Sequence, residues 1–250
     1  MKFRFKAFGL HLLGSAAVLS LVLGGLYLGW YRWPGWYLTD ALHILVIVLV
    51  TDLVVGPTLT FLVANPAKPR RVFARDVGVI LVVQLTALIY GATTLWLGRP
   101  IYYAFSVDCL QIVQASDITA NEVILAQQQN PSLAPHWYSL PRWVWAPLPA
   151  NPEEAAKIVG EVTLGGADVV EMPRFFHPWI RGLDQMRGEL ATIDKVWGLS
   201  NSERERLRKQ IEGLGESPDK RNTLLVWGPR RALAVFDPAT LQLKAILRPG

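Results

Sequence analysis

Residues 41–64 have the sequence ALHILVIVLVTDLVVGPTLTFLVA, in which Asp52 is the only charged residue. A helix needs about 20 consecutive apolar residues to cross about 30 Å of hydrocarbon. Two further stretches, residues 9–30 and 77–97, contain no Asp, Glu, Lys or Arg. We therefore predict three transmembrane helices, at residues 9–30, 41–64 and 76–97 of a membrane half that spans 1–97. A buried helix of a soluble protein would not recur three times within so short a length.

The first apolar segment also invites comparison with a secretory signal peptide. Residues 1–6 are basic, as the start of such a peptide is. The apolar run behind them is longer than a signal peptide requires, and Gly24–Trp30 contains no clear small-x-small cleavage site. The segment is therefore predicted to be a retained anchor.

The basic residues that flank these segments are unevenly distributed. Seven of them precede the first segment or follow the second: Lys2, Arg4, Lys6, Lys68, Arg70, Arg71 and Arg75. The loop between the first two segments holds only Arg32. By the positive-inside rule, the N-terminus and the 65–75 loop are cytoplasmic, and the region after the third segment lies outside. A cluster of aromatic residues marks an outer boundary: Trp30, Trp33, Trp36 and Tyr37.

The net charge of +5 arises in the membrane half of the chain. Residues 1–97 contain eight Lys or Arg and three Asp or Glu, whereas residues 98–250 contain seventeen of each kind. The surplus of basic residues therefore indicates the orientation of the helices in the membrane. The C-terminal half has no net charge and thus no excess positive charge to attract nucleic acid.

Two polar residues lie at mid-membrane depth in the predicted helices. A charged group such as Asp52 costs about 2.5–3.5 kcal/mol at that depth, and Gln84 lies at a similar depth in the third helix. Three interpretations follow. Asp52 bonds Gln84 or a threonine and holds the bundle together, or the polar face receives a partner's transmembrane helix, or the residues line a proton or ion pathway. A pathway would need further acids or bases at that depth.

Proline and small residues shape the first two helices. Gly56-Pro57 lies one turn after Asp52 and predicts a kink, because proline removes an internal hydrogen bond. The carbonyls freed near residues 52–53 then need other donors. In the first helix, Ser20 and Gly24 continue a four-residue spacing of small side chains that lets another helix approach closely.

The C-terminal half, residues 98–250, is predicted to form one extracytoplasmic α+β domain. Strands are expected at 102–113 and, as a meander, at 224–227, 232–236 and 241–247. Helices are expected at 118–129, 151–165, 179–190 and 200–213. The residues rich in proline and tryptophan, 131–149, are expected to form an irregular packed loop.

The C-terminal half lacks the sequence patterns of catalysis. It contains no glycine-rich phosphate loop and no HExxH, CxxC or GxSxG motif. His136 and His177 are far apart, and each adjoins a proline, which is typical of packing or surface histidines. Cys109 is the single cysteine and lies in an apolar strand. We expect no catalytic residue, no metal and no cofactor.

Several sequence blocks occur in a distinctive order between residues 40 and 110. They are TDLVVGPTLT at 51–60, the basic loop with Lys68 and then Asp76, QLTALIYG at 84–91 with Tyr90, and Arg99-Pro100 leading into FSVD at 105–108. In this order and spacing the chain resembles the TfpX/TfpZ family of type IV pilin accessory proteins. The resemblance adds Tyr90 to the intramembrane candidates, and Asp76 and Arg99 as membrane-boundary candidates.

The resemblance implies a non-enzymatic protein of the bacterial inner membrane that helps pilin subunits assemble into type IV pili. The implied partners are a type IV pilin subunit, the pilus assembly machinery and membrane lipid. In that arrangement the N-terminus is cytoplasmic and the C-terminal domain is periplasmic. As a hypothesis for the mechanism, the small-residue faces together with Asp52 and Gln84 would contact the pilin's helix, and the periplasmic domain would contact its globular head.

Two other classes of protein stay open. A membrane-anchored periplasmic sensor or ligand-binding protein would act through a partner, because the longest cytoplasmic segment has only about a dozen residues. An enzyme would show clustered acids, histidines or a nucleophile at the membrane boundary. A transporter would show more spans and often a repeat.

Overall fold

The apolar segments form three long helices in a computed structural model that describes all 250 residues. Helix α1 spans Lys2–Gly29, α2 spans Leu42–Val63 and α3 spans Arg70–Leu97. Each is long and apolar enough to cross a membrane, so the protein is membrane-anchored. The prediction of a three-helix membrane region is confirmed, and α1 and α3 begin before their predicted spans.

The chain divides into two units by its internal contacts. The membrane unit contains Met1–Trp36 and Asp40–Gly98, and the C-terminal unit contains Tyr37–Thr39 and Arg99–Gly250. The three residues Tyr37–Thr39 follow α1 in sequence, yet they pack with the C-terminal unit. A short helical turn, Gly35–Leu38, carries the chain into this segment.

Apolar contacts hold the three membrane helices together. Leu19, Val48 and Leu88 form a buried cluster with one residue from each helix. At Gly91 a Cβ atom would overlap the side chain of Val48, so glycine is what allows α3 to pack this closely on α2. At one end of the bundle the Tyr31 hydroxyl donates to the Leu95 carbonyl at 2.6 Å.

The C-terminal unit is built on one seven-stranded mixed sheet. Its strands are β1 Pro100–Ser106, β2 Cys109–Gln114, β3 Arg142–Trp145, β4 His177–Pro178, β5 Thr223–Trp227, β6 Ala232–Phe236 and β7 Leu243–Leu247. The spatial order is β4-β3-β1-β2-β5-β6-β7, with β1/β3 and β2/β5 parallel and the other pairs antiparallel. The predicted C-terminal meander is confirmed as β5–β7.

The first predicted strand, 102–113, is in fact a hairpin of β1 and β2. Val107 and Asp108 form its turn, with Ser106 paired to Cys109. Val107 has a φ of 53°, a left-handed conformation that β-branched residues rarely adopt. The turn therefore lacks the Gly or Asn that would have signalled it in the sequence. The loop predicted at 131–149 likewise contains β3.

Four helices accompany the sheet: α4 Ala120–Gln129, α5 Pro152–Thr163, α6 Leu183–Glu189 and α7 Asn201–Gly213. Three of these helices have a side-chain cap at the N-terminus. Thr119 and Asn151 cap α4 and α5, and Ser200 forms a reciprocal capping box with Glu203 at α7. One apolar core packs α5 against β1–β3, and a second packs α7 against β5 and β6.

Tyr37 is buried in the C-terminal unit rather than placed as a boundary aromatic residue. Its hydroxyl donates to the Arg231 carbonyl at 3.2 Å, and the Arg230 and Arg248 guanidinium groups lie over its ring at 5.7 and 5.0 Å. The next residue, Leu38, is fully buried and accepts a hydrogen bond from the Arg230 amide. Tyr37 and Leu38, from the connection between α1 and α2, are thus part of the C-terminal core.

Candidate functional site in the membrane helices

The middle of α2 departs from α-helical geometry. Thr51–Val55 form one π-helical turn, and the Gly56 amide donates to the Thr51 carbonyl five residues back. Pro57, at the next position, has no amide hydrogen to offer. The Asp52 carbonyl therefore has lost both of the helix donors that could have reached it.

Gln84 of α3 satisfies this carbonyl. Its amide Nε2 donates to the Asp52 carbonyl oxygen at 3.1 Å. The amide group lies so close to Gly56 that a Cβ atom there would overlap it. The structure thus brings together four residues that were predicted from the sequence: Asp52, Gly56, Pro57 and Gln84. Gln84 is bonded to the backbone carbonyl of Asp52.

His11 of α1 extends the hydrogen bonds to a third helix. Its Nε2 lies 2.7 Å from the Gln84 side-chain oxygen, and its Nδ1 lies 2.6 Å from the Thr60 hydroxyl. Because the Gln84 oxygen can only accept, Nε2 carries the proton. In the neutral ring Nδ1 then accepts from Thr60, and each bond in the series has one donor and one acceptor.

His11 was not among the residues predicted from the sequence, although it lies within the first apolar segment. An intramembrane histidine is itself a signal, because ionisable residues in such helices usually face a partner or a cavity. We call His11, Asp52, Thr60 and Gln84 the polar cluster.

The Asp52 carboxyl group is enclosed but incompletely bonded. The residue is only 4% exposed, and its Oδ1 is buried without a hydrogen-bond partner. A buried oxygen of this kind costs free energy unless a donor reaches it. Asp52 also borders a groove.

The groove lies between α1 and α3 and has a volume of about 640 Å³. We call it the helix groove. Small side chains line both walls: Ala7, Gly14 and Ser15 on α1, and Ala74 and Gly78 on α3. The polar cluster forms its floor, and larger apolar residues such as Leu10 and Leu81 complete its walls.

The other predicted intramembrane residues lie outside this groove. Tyr90 is 71% exposed on the surface of α3. By helical periodicity, Ser20 and Gly24 lie on the side of α1 opposite to the groove-lining residues. A Cβ added at Gly24 would meet nothing within 4 Å, so no helix of this chain packs there.

The two predicted boundary residues have structural contacts. Asp76 forms an ion pair with Lys68 at 2.9 Å, which ties the α2–α3 loop to the start of α3. Arg99 is buried in the C-terminal unit, and its Nη2 donates to the Trp137 carbonyl at 2.9 Å. Both contacts fix the local course of the chain.

The histidines and the cysteine of the C-terminal unit have packing contacts. His136 stacks on Tyr138, whereas His177 packs against Trp145. Cys109 is buried, and burial raises the pKa of its thiol to about 12, so it stays protonated and unreactive at neutral pH. No group of three or more His, Cys, Asp or Glu side chains comes together to hold a metal ion.

These features define a class: a membrane-anchored protein with a polar cluster buried among three helices and a mixed α/β C-terminal unit. No family model matches the chain, and no solved structure matches it. Three curated relatives do, all from Dichelobacter nodosus.

The fimbrial assembly protein of serogroups C1 and C2 is 31% identical over 121 residues, 48% of this chain and 92% of the relative. The fimbrial assembly protein of serogroup E1 is 27% identical over 223 residues, 88% of this chain and 76% of the relative. That of serogroup I is 28% identical over 188 residues, 74% of this chain and 70% of the relative. The chain belongs to this family of fimbrial assembly proteins.

Proposed function

We propose that the protein is a non-enzymatic accessory protein of the inner membrane that binds a type IV pilin subunit and promotes or modulates pilus assembly. The observation that carries this proposal is the similarity to the fimbrial assembly protein of serogroup E1, which extends over 88% of the chain and so includes both units. The order of sequence blocks between residues 40 and 110 supports the finer assignment to the TfpX/TfpZ type.

A pilin offers two parts to such a partner, an apolar helix and a globular head. The helix groove suits the first part, because its walls are apolar and carry small side chains. The C-terminal unit has a candidate surface for the second in the segment 136–140, where Trp137 and Tyr138 are 73% and 58% exposed. Exposed aromatic residues of this kind are common in protein interfaces.

The residues that lead into this segment are held in place by Arg142. Its guanidinium group donates to three successive carbonyls, those of Ser132, Leu133 and Ala134, and to the hydroxyl of Tyr102. An interface built on a fixed segment loses little conformational freedom on binding. This supports a role of the segment in recognition.

The proposed topology places the N-terminus in the cytoplasm and the C-terminal unit in the periplasm. Labelling of single introduced cysteines with a membrane-impermeant maleimide tests it in intact cells. Arg32→Cys should react from outside, and Ala67→Cys should react only after the membrane is opened. The native Cys109 is buried and adds no background. The reverse pattern would invert the proposed orientation.

Deletion of the gene tests the function. We expect the deletion strain to lose most surface pili and twitching motility, and the full-length chain expressed in trans to restore both. Tagged full-length protein should retain the pilin after detergent extraction, whereas an unrelated single-span inner-membrane protein should not. Normal piliation without the gene, together with no pilin in the purified sample, would contradict the proposal.

A further inference from the structure

The helix groove has the dimensions of a binding site for one transmembrane helix. Its α1 wall runs from Ala7 to Val18 and its α3 wall from Phe73 to Leu88. At 1.5 Å per residue these walls are about 17 and 22 Å long, which corresponds to three to four turns of a helix. A straight groove of that length along two helices fits a third element that runs parallel to them.

Two glycines set the width of the groove. Gly14 on α1 and Gly78 on α3 both line it, and a Cβ added at either position would meet nothing within 4 Å. Neither glycine is therefore needed for packing among the three helices of this chain. Small residues that serve no internal contact on a membrane helix are suited to close approach of another helix.

The floor of the groove distinguishes a helix from a lipid chain as occupant. Asp52 borders the groove, is 4% exposed, and has a buried Oδ1 without a partner. An acyl chain has no donor to offer this oxygen. A protein helix with a hydroxyl, amide or ammonium group at the same depth can donate to it and remove the cost of the unbonded oxygen.

We propose that the helix groove binds a single apolar transmembrane helix of a partner protein, and that Asp52 accepts a hydrogen bond from a donor side chain of that helix. The inference rests on the proposed function, which makes the pilin subunit the partner. It assigns the binding face to Ala7–Val18 of α1 and Phe73–Leu88 of α3. The small residues Ser20 and Gly24 then have no part in it.

Photo-crosslinking of the full-length protein in cells that express the pilin tests the location. A photoreactive residue at Leu81, which lines the groove, should give an adduct with the pilin. The same residue at Val83, which is exposed on the opposite side of α3, should give none. An adduct with lipid alone, or with a second copy of this chain, at position 81 would overturn the inference.

Glycine variants test the occupancy with matched controls. Gly14→Leu and Gly78→Leu should fill the groove and reduce the Leu81 adduct at least tenfold. Gly9→Leu and Gly24→Leu, which also meet nothing within 4 Å but lie on the other side of α1, should leave it unchanged. Equal adduct yields from the groove variants and the controls would refute the inference.

Asp52 is tested by two substitutions. Asp52→Leu should lower the adduct yield about 3- to 20-fold, the range expected for loss of one hydrogen bond within a membrane. Asp52→Asn keeps an acceptor oxygen and should restore most of the yield. An unchanged yield with Asp52→Leu would remove Asp52 from the proposal.

The failure of this inference is distinguishable from failure of the proposed function. Copurification of the pilin with the wild-type chain and the phenotype of the deletion strain report on the function. If both hold while the glycine variants bind pilin as the wild type does, the function stands and the groove is not the site.

Discussion

Replacement of Gln84 by leucine should destabilise the membrane unit strongly. Leucine has a similar size, so the change removes hydrogen bonds without opening a large cavity. Two are lost, from His11 at 2.7 Å and to the Asp52 carbonyl at 3.1 Å. A hydrogen bond between membrane helices contributes about 0.6 kcal/mol on average and at most about 1.7 kcal/mol. The two together therefore account for about 1–3 kcal/mol.

The carbonyl left behind adds to this loss. Pro57 and the π-helical turn deprive the Asp52 carbonyl of any helix donor, so without Gln84 it stays unbonded away from water. Such a group costs about 1–3 kcal/mol. We expect a total loss of about 2–6 kcal/mol for Gln84→Leu, measured by SDS titration of the purified full-length protein with tryptophan fluorescence as the signal.

Thr86→Val is the matched control for this experiment. Its hydroxyl donates to the Val82 carbonyl within the same helix at 2.9 Å, and the residue is exposed. The control should change stability by less than about 0.5 kcal/mol. If Gln84→Leu lowered stability no more than Thr86→Val does, the polar cluster would contribute nothing to the stability of the bundle, and the reasoning would be refuted.

A double-mutant cycle isolates the contact between Gly56 and Gln84. In the wild type, Gly56→Ala places a Cβ atom against the Gln84 amide and should be destabilising. In a Gln84→Ala background the space is open, so the same change should be almost neutral. Equal effects in the two backgrounds would mean that the two residues are not coupled.

Three further predictions concern the C-terminal unit. Arg142→Ala should release segment 131–140, which would be detected as faster hydrogen exchange in that segment and as a stability loss of about 2–4 kcal/mol. Arg142→Lys should not restore stability, because an ammonium group lacks the planar set of donors with which the guanidinium group bonds the three carbonyls. Glu171→Gln should raise the Tm at pH 7.5 by about 2–4 °C, and this gain should vanish as the pH falls toward 4.5. Burial, and then the carboxylates of Asp117 and Asp168, raise the pKa of Glu171, so its ionisation opposes folding and the wild type loses stability as pH rises through that pKa. Val107→Asn should stabilise the β1–β2 turn by about 1 kcal/mol, because asparagine tolerates the positive φ of 53°. Thermal unfolding of the full-length protein measures the last two, and a Tm no higher than that of the wild type would contradict either.

The sequence was sufficient to predict the parts of the membrane unit that composition controls. Apolar length identifies the three helices, and basic flanking residues suggest an orientation. Asp52 and Gln84 stood out because polar groups are rare at that depth. The part of His11 could not be predicted, since its pairing with Thr60 and Gln84 depends on which helix faces meet across 49 and 73 residues of sequence.

In the C-terminal unit, likewise, features set by neighbouring residues could be predicted, whereas features set by residues far apart in sequence could not. Capping residues fixed the helix starts at Asn151 and Ser200, because a cap acts within a few residues. The parallel pairing of β2 with β5 joins residues more than one hundred positions apart, and nothing local specifies it. Tyr37–Thr39 is another such case, because its burial depends on residues 230, 231 and 248 at the far end of the chain.

The Gly-Pro pair links the stability of the bundle to the hydrogen bonding of Asp52. An unbroken α-helix would satisfy the Asp52 carbonyl internally and leave both N–H groups of the Gln84 amide free for other acceptors. The π-helical turn and Pro57 instead commit a Gln84 donor to the carbonyl, and the carboxyl Oδ1 remains without a partner. A polar group kept unbonded beside an apolar groove costs stability in the free protein. If the proposed partner helix donates to Asp52, that cost is recovered on binding, and the break in α2 would then favour the bound state.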